Sequence, residues 1–387
     1  MRKKQEHKNI YHYKGNINKL ENVERFDDKI ENIRIFLKNE LKNKNLNIFI
    51  GSGCSTPSIP LMGKTIGNIL KDEKNISIKK KINEYIELKN NEFEENNKFS
   101  IEYFNDIEGF LTWLGKGIDF EKNISVKNEY KEIYSSLKKQ FIDTIPKFDN
   151  HEYKNSSTIE NYNRFYNYIF ENRKLEFPKL NVFTTNYDLF NEYSFEYNKF
   201  QYTTGFDTGL NQFFNINQFS YRLVDSKERY KDKWQPTTKE VNLYKLHGSI
   251  NWIEKNNRLV QSVNDEKDEN IIIYPTALKH EETRQSPYSE LFRELSIQLQ
   301  KPNSLLFIMG YGFGDEHINN IISQSLSNPD FTLIVFGDIG EVGLAKFDEE
   351  NQSANFHIIG GETKNSDKKA HYFSEIVSQF CVNESIW

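Results

Sequence analysis

Leu46-Asn47-Ile48-Phe49-Ile50, running directly into Gly51-Ser52-Gly53-Cys54-Ser55, is the stretch whose reading decides the fold. A short, near-continuous apolar run closed by a glycine turn reads as a buried strand of a parallel sheet. Upstream, Phe26, Ile30, Ile33, Leu37 and Leu41 recur at spacings of three and four, which predicts an amphipathic helix. Downstream, three more strands end on polar or glycine-rich residues. Asn181 to Thr184 runs into Thr185-Asn186-Tyr187-Asp188, Val241 to Leu246 into His247-Gly248, and Ser304 to Met309 into Gly310-Tyr311-Gly312-Phe313-Gly314-Asp315. Beyond these, a helix over Asp315 to Leu326, a strand over Thr332 to Phe336, a helix near Val342, a strand over Phe356 to Ile359 and a last helix over Ala370 to Phe380 follow in turn. This alternation predicts an α/β, Rossmann-like parallel sheet with helices on both faces.

The segments between these strands read differently. From Leu61 to about Ile145 the periodicity is helical, with Phe104, Ile107, Phe110, Leu111 and Leu114 on one face and Tyr130, Ile133, Leu137, Phe141 and Ile145 on another. A further helix is expected between Thr158 and Asn172. So much helix is too long for a simple crossover, and a helical subdomain inserted at about residues 61–175 is expected. Gln201 to Thr238 has no steady period, Trp252 to Tyr274 suggests hairpins, and Pro287 to Gln300 reads as a helix. The basic, polar residues 1–25 are expected to form a loose N-terminal arm or an oligomer contact, leaving one domain over 26–387.

Composition narrows the class. Among 387 residues, 51 Lys and Arg stand against 56 Asp and Glu, a net charge of −5, which argues against a protein that grips nucleic acid over a broad basic surface. Two cysteines, Cys54 and Cys381, suit a reducing cytoplasm and cannot build a four-thiolate zinc site. The first eight residues lack the apolar core of a signal peptide, and no apolar run approaches membrane-spanning length. A soluble cytoplasmic protein is expected.

In an open parallel sheet, ligands bind at the carboxyl ends of the strands near the switch in strand order. Each of the four strand ends has two readings. Gly51 to Ser55 is either a phosphate cradle at a helix start or a tight turn, with Cys54 a packing residue. Asn186 or Asp188 is either a helix cap or a polar group held for a ligand. His247 is either a core histidine or a general base, since its titration range suits proton transfer. Gly310 to Asp315 either holds ribose hydroxyls or is a turn capped by Asp315.

Taken in order, the four motifs resemble the sirtuin-like NAD-binding domain, in the bacterial branch used in anti-phage defence, over roughly residues 46 to 340. The resemblance implies that Gly51, Ser52, Gly53, Cys54 and Ser55 cradle the NAD+ pyrophosphate. It implies that Asn186 orders water and the nicotinamide-side ribose, that Asp188 faces the nicotinamide amide, and that His247 is the catalytic histidine. Gly310 and Gly312 would line the adenosine ribose, with Thr185, Tyr311 and Asp315 in the same cofactor site. The sequence departs from the deacylases of the family. It has no Cys-x-x-Cys pair for a zinc ribbon, Ser58-Ile59-Pro60-Leu61-Met62 lacks the Asp-Phe-Arg that follows Ile-Pro there, and Thr185 replaces their Gln.

What the resemblance implies is therefore an NAD+ hydrolase without zinc or any other metal, acting in antiviral defence by NAD+ depletion. Only about one helix follows the last expected strand, so a sensor is expected on another chain. A stand-alone protein of this size fits systems that pair a ring-shaped sirtuin-like homo-oligomer with a HerA-like ATPase. The N-terminal arm and the Leu61 to Ile145 helices would be its contact surfaces. The alternatives are an NAD-dependent deacylase or ADP-ribosyltransferase, and a non-catalytic nucleotide-sensing scaffold. A basic cleft for single-stranded nucleic acid is a minor variant.

Overall fold

The computed structural model describes residues 9–42, 45–92, 100–104, 106–146, 153, 155–174, 177–230, 233–236, 239–256, 258–262, 270–272, 286–364 and 368–382. Its strands are β1 (Tyr11–Lys14), β2 (Ile17–Asn18), β3 (Asn45–Ile50), β4 (Leu180–Thr184), β5 (Gln201–Thr203), β6 (Val224–Tyr230), β7 (Lys233–Pro236), β8 (Glu240–Lys245), β9 (Gly248–Lys255), β10 (Arg258–Gln261), β11 (Asn270–Ile272), β12 (Ser304–Met309), β13 (Thr332–Phe336) and β14 (Phe356–Gly360). Nine of them form one sheet in the order β2-β1-β14-β13-β12-β3-β4-β8-β5. From β14 to β5 every pairing is parallel. The chain leaves β3 toward β4 and β8 on one side and later returns to β12 on the other, so the switch in strand order lies between β3 and β12.

Period-two alternation sends each strand's side chains to two cores. Ile48, Ile50, Val182, Leu243, Leu305 and Met309 face α1 (Phe26–Leu41) and α6 (Ser157–Glu171). Phe49, Phe183, Tyr244, Leu306 and Ile308 face α8 (Tyr288–Leu299) and α9 (Glu316–Leu326). On that second face three asparagines stand side by side in register, Asn47 beside Asn181 and Asn181 beside Asn242. The Asn181 amide donates to Asn47 at 3.0 Å and that of Asn242 to Asn181 at 3.2 Å, while Asn47 donates to Ser304 Oγ at 2.9 Å. All three are buried, so their amides depend on one another.

Between β3 and β4 lie α2 (Met62–Lys71), α3 (Ile76–Glu92), α4 (Ile107–Phe120) and α5 (Ile124–Asp143), followed by α6. Ile66, Ile82, Phe110, Leu114, Ile133 and Leu137 gather in a third core of their own. The last helix of the series, α6, packs instead on the sheet through Tyr162, Phe165 and Tyr166. None of the described helices is long and apolar enough to cross a membrane.

Three expectations need correction. Residues 9–25 are not a loose arm: β1 pairs antiparallel with β14, and Ile10, Tyr11 and Leu20 are buried. The Tyr11 hydroxyl donates to the Gly337 carbonyl and accepts the Ile339 N–H, both at 3.0 Å. The expected helix over Ala370 to Phe380 starts only at Phe373 and widens into a π-helical turn over Ile376–Phe380. Gly51 to Ser55 does not open a long helix but makes one 3₁₀ turn over Ser52–Ser55. Residues 1–8 of the expected arm and 263–269 of the expected hairpin region lie outside the described residues.

The anchoring of β1 gives a test. Tyr11→Phe keeps the ring and leaves the Gly337 carbonyl and the Ile339 amide unpaired, and it should lower stability by ~1–3 kcal/mol in denaturant unfolding. An unchanged midpoint would show that the two hydroxyl bonds contribute nothing to stability.

Candidate functional site

The four strand-end loops converge on a cavity of about 250 Å³. The first and fourth make it possible by touching backbone to backbone at the switch point. The Gly53 N–H donates to the Gly310 carbonyl and the Gly51 N–H to that of Met309, both at 2.9 Å. A Cβ on Gly51 would lie 2.2 Å from the Gly310 oxygen, and one on Gly310 would lie 2.5 Å from the Cys54 nitrogen. Gly310 also has φ +64°, in the left-handed region.

These contacts revise the expected phosphate cradle. Gly51, Gly53 and Cys54 sit behind the cavity, with the first two amides committed to carbonyls. Burial pushes the Cys54 thiol far above its ordinary range, so it stays a protonated packing atom. Ser52 and Ser55 do line the cavity, as do Thr185, Asn186, Asp188, His247, Gly310, Tyr311, Gly312 and Asp315. A Cβ at Gly312 or Gly314 would meet no protein atom within 4 Å, so the protein's own packing does not ask for glycine at either position.

The second loop is knitted to the first. Thr184 Oγ1 donates to the Ile50 carbonyl at 2.7 Å and accepts the Asn186 N–H at 3.0 Å. The Asn186 amide nitrogen donates to the Gly51 carbonyl at 3.1 Å and to Ser55 Oγ at 3.0 Å. A carbonyl can only accept, so this contact fixes which end of the amide is nitrogen. Asn186 Oδ1 is then left buried without a partner. Ser55 in turn donates to Asp188 Oδ2 at 2.7 Å. With its one proton used there, the Tyr162 hydroxyl 3.3 Å away is the donor to Ser55.

Asp188 Oδ1 accepts the Phe190 N–H at 3.1 Å, an Asx-type turn one residue ahead of Leu189, the N-cap of α7 (Phe190–Tyr197), rather than the helix cap its residue type allowed. Burial raises its carboxyl above the usual range, against the opposing pull of the Lys245 ammonium. Lys245 is fully buried, bonded to the Asp188 carbonyl oxygen and, at 2.8 Å, to Glu192 Oε1. Burial raises the Glu192 carboxyl as well.

The other half of the site joins the third and fourth loops. His247 Nε2 lies 3.1 Å from Asp315 Oδ2, and both side chains are under a tenth exposed. Asp315 Oδ1 caps α9 by accepting the N–H groups of His317 and Ile318. Sequence reading named both residues without pairing them. It also missed the apolar wall, made by Ile59, Met62 and Ile145 with Tyr187. Met62 and Ile145 flank the helical segment α2–α5, and no local pattern brings such distant residues together. Among the described residues, no group of His, Cys, Asp or Glu is placed to hold a metal ion.

One comparison bears on this arrangement. Residues 180–336 match the family model of the SIR2-like domain. The match runs from β4 through β13 and so takes in Asn186, Asp188, His247 and the Gly310 loop, but not β3 and its glycine turn. SIR2-like domains bind NAD+, and the match is consistent with an NAD-dependent enzyme of sirtuin-like kind. Among curated proteins none matches the chain.

The two kinds of glycine separate in a stability test. Gly310→Ala should cost ~1–3 kcal/mol through strain and backbone collision. Gly312→Ala should change stability by less than about 1 kcal/mol. Equal losses in thermal unfolding would contradict the packing described.

Proposed function

We propose that the chain is an NAD+ glycohydrolase that cleaves the nicotinamide–ribose bond to give nicotinamide and ADP-ribose. The observation that carries this reading is Asn186, which lines the cavity together with His247 and whose Oδ1 is buried without a partner. A buried acceptor without a partner costs free energy unless a ligand or water supplies the hydrogen. A ribose hydroxyl or the attacking water would do so.

The chemistry suits these groups. The bond from C1′ to the nicotinamide nitrogen breaks, and its electron pair neutralises the positive charge of the pyridinium ring. The ribose passes through an oxocarbenium-like state. Water adds to C1′, and its proton leaves to His247, directly or through a ribose hydroxyl. Asn186, locked by Gly51 and Ser55, orients the water or the hydroxyl. Asp188 keeps Ser55 turned toward itself and so fixes the Asn186 amide. The apolar wall of Ile59, Met62 and Ile145 limits water around the breaking bond.

On the sequence resemblance we extend the proposal to antiviral defence by NAD+ depletion, with a HerA-like ATPase as partner and a ring-shaped homo-oligomer as the assembled form. The test is NAD+ turnover by the purified protein, with and without that partner, followed by mass analysis of the products. His247→Ala and Asn186→Ala should each lower kcat by about 10²–10⁴-fold with the fold retained, as checked by circular dichroism. Full NAD+ consumption by both variants would overturn the assignment. An ADP-ribosylated protein in place of free ADP-ribose would make the chain a transferase.

A further inference from the structure

We propose that Asp315 is a positioning residue for His247, holding the imidazole with its proton on Nε2 so that Nδ1 is the ring's acceptor. This rests on the reading of His247 as the base in NAD+ hydrolysis. It adds a role for a carboxylate whose sequence context explains only a helix cap.

The geometry carries it. A carboxylate only accepts hydrogen bonds, so the hydrogen shared over the 3.1 Å between Asp315 Oδ2 and His247 Nε2 belongs to the histidine. A neutral imidazole protonated on Nε2 has its lone pair on Nδ1. The carboxylate cannot turn away easily, because Oδ1 is held by the His317 and Ile318 amides at 3.1 and 3.3 Å. Its backbone is held too: the Asp315 N–H donates to the Tyr311 hydroxyl at 3.3 Å, and that hydroxyl lies 2.9 Å from Asn319 Oδ1. When His247 takes up a proton, the adjacent anion stabilises the imidazolium, as a buried carboxylate does for the histidine of a hydrolase triad.

The titratable groups facing His247 come from several elements. Asp315 and Tyr311 lie on the loop after β12, and Asp188 and Tyr187 on the loop after β4. Lys245 and Glu192 stand behind Asp188, and the His317 ring packs against Phe292, whose ring centroid is 6.4 Å from that of His247. Asp315 is the one in hydrogen-bond contact with the imidazole, so replacing it should change the ring's tautomer most.

D315N is the informative variant, because Asn caps a helix as well as Asp does and the first turn of α9 is kept. Selective ¹⁵N-histidine labelling of the full chain, with His247 assigned by the signal lost in His247→Gln, reads the tautomer without any turnover. Wild-type protein should carry the proton on Nε2, and D315N should lose that preference. With NAD+, D315N should lower kcat by about 10²-fold or more and leave KM within about threefold. A wild-type His247 protonated on Nδ1, or a tautomer unmoved in D315N, would overturn the proposal. So would a raised KM at unchanged kcat, which would make Asp315 a substrate contact. Absence of NAD+ turnover by the wild type would instead sink the hydrolase reading, while the tautomer still decides this one.

Discussion

The approach of two loop backbones at the switch point, where the Gly53 N–H meets the Gly310 carbonyl at 2.9 Å, is the constraint on which the site depends. No residue with a Cβ fits at Gly51 or Gly310 without moving its neighbour's backbone. Because these loops touch, the ends of β3 and β12 close into a floor. The loop after β4 can then reach across to Gly51 through Asn186, and His247 after β8 can reach Asp315. The polar groups of the cavity are therefore positioned by glycines that do not themselves need to meet a ligand.

Around that floor the polar residues divide by how completely they are satisfied. Asp188, Ser55, Tyr162 and Lys245 bond to the protein itself and form a buried support, to which Glu192 adds Oε1 while its Oε2 is buried without a partner. Removing one member of such a set leaves the others desolvated and unpaired, which costs more than the lost bond. Asn186 differs in lining the cavity, with one end of its amide fixed and the other having nothing to accept from. The protein thus spends its hydrogen bonds on holding an acceptor ready.

Much of this was legible in the sequence, and for physical reasons. Buried parallel strands need apolar side chains on both faces, so Asn45–Ile50, Leu180–Thr184 and Ser304–Met309 stand out as runs. Their shared direction places the four loops together, and ten of the thirteen residues named for the site line the cavity. β1 was missed because a four-residue strand at the sheet's margin, Tyr-His-Tyr-Lys, shows too little apolar character to separate from an arm. The glycines at 51 and 53 misled because glycine permits close approach by any backbone, and here the partner is the protein's own Gly310. The Asp315–His247 contact was invisible because the two are 68 residues apart in sequence and each has a sufficient local explanation.

The row of Asn47, Asn181 and Asn242 has a consequence for how the sheet is assembled. Side-chain direction repeats every two residues, so sliding a strand by two leaves its apolar residues facing the same core. Burial alone is nearly blind to that error, and it would displace a whole strand-end loop by two residues' rise. The amides are not blind to it, because a strand slipped one way would put Phe49, Phe183 or Tyr244 where an asparagine expects a partner, and β4 or β8 slipped the other way would put Lys179 or Glu240 there. The row acts as a vernier, reading an alignment that the hydrophobic pattern cannot resolve and levelling the strand ends on which the cavity is built.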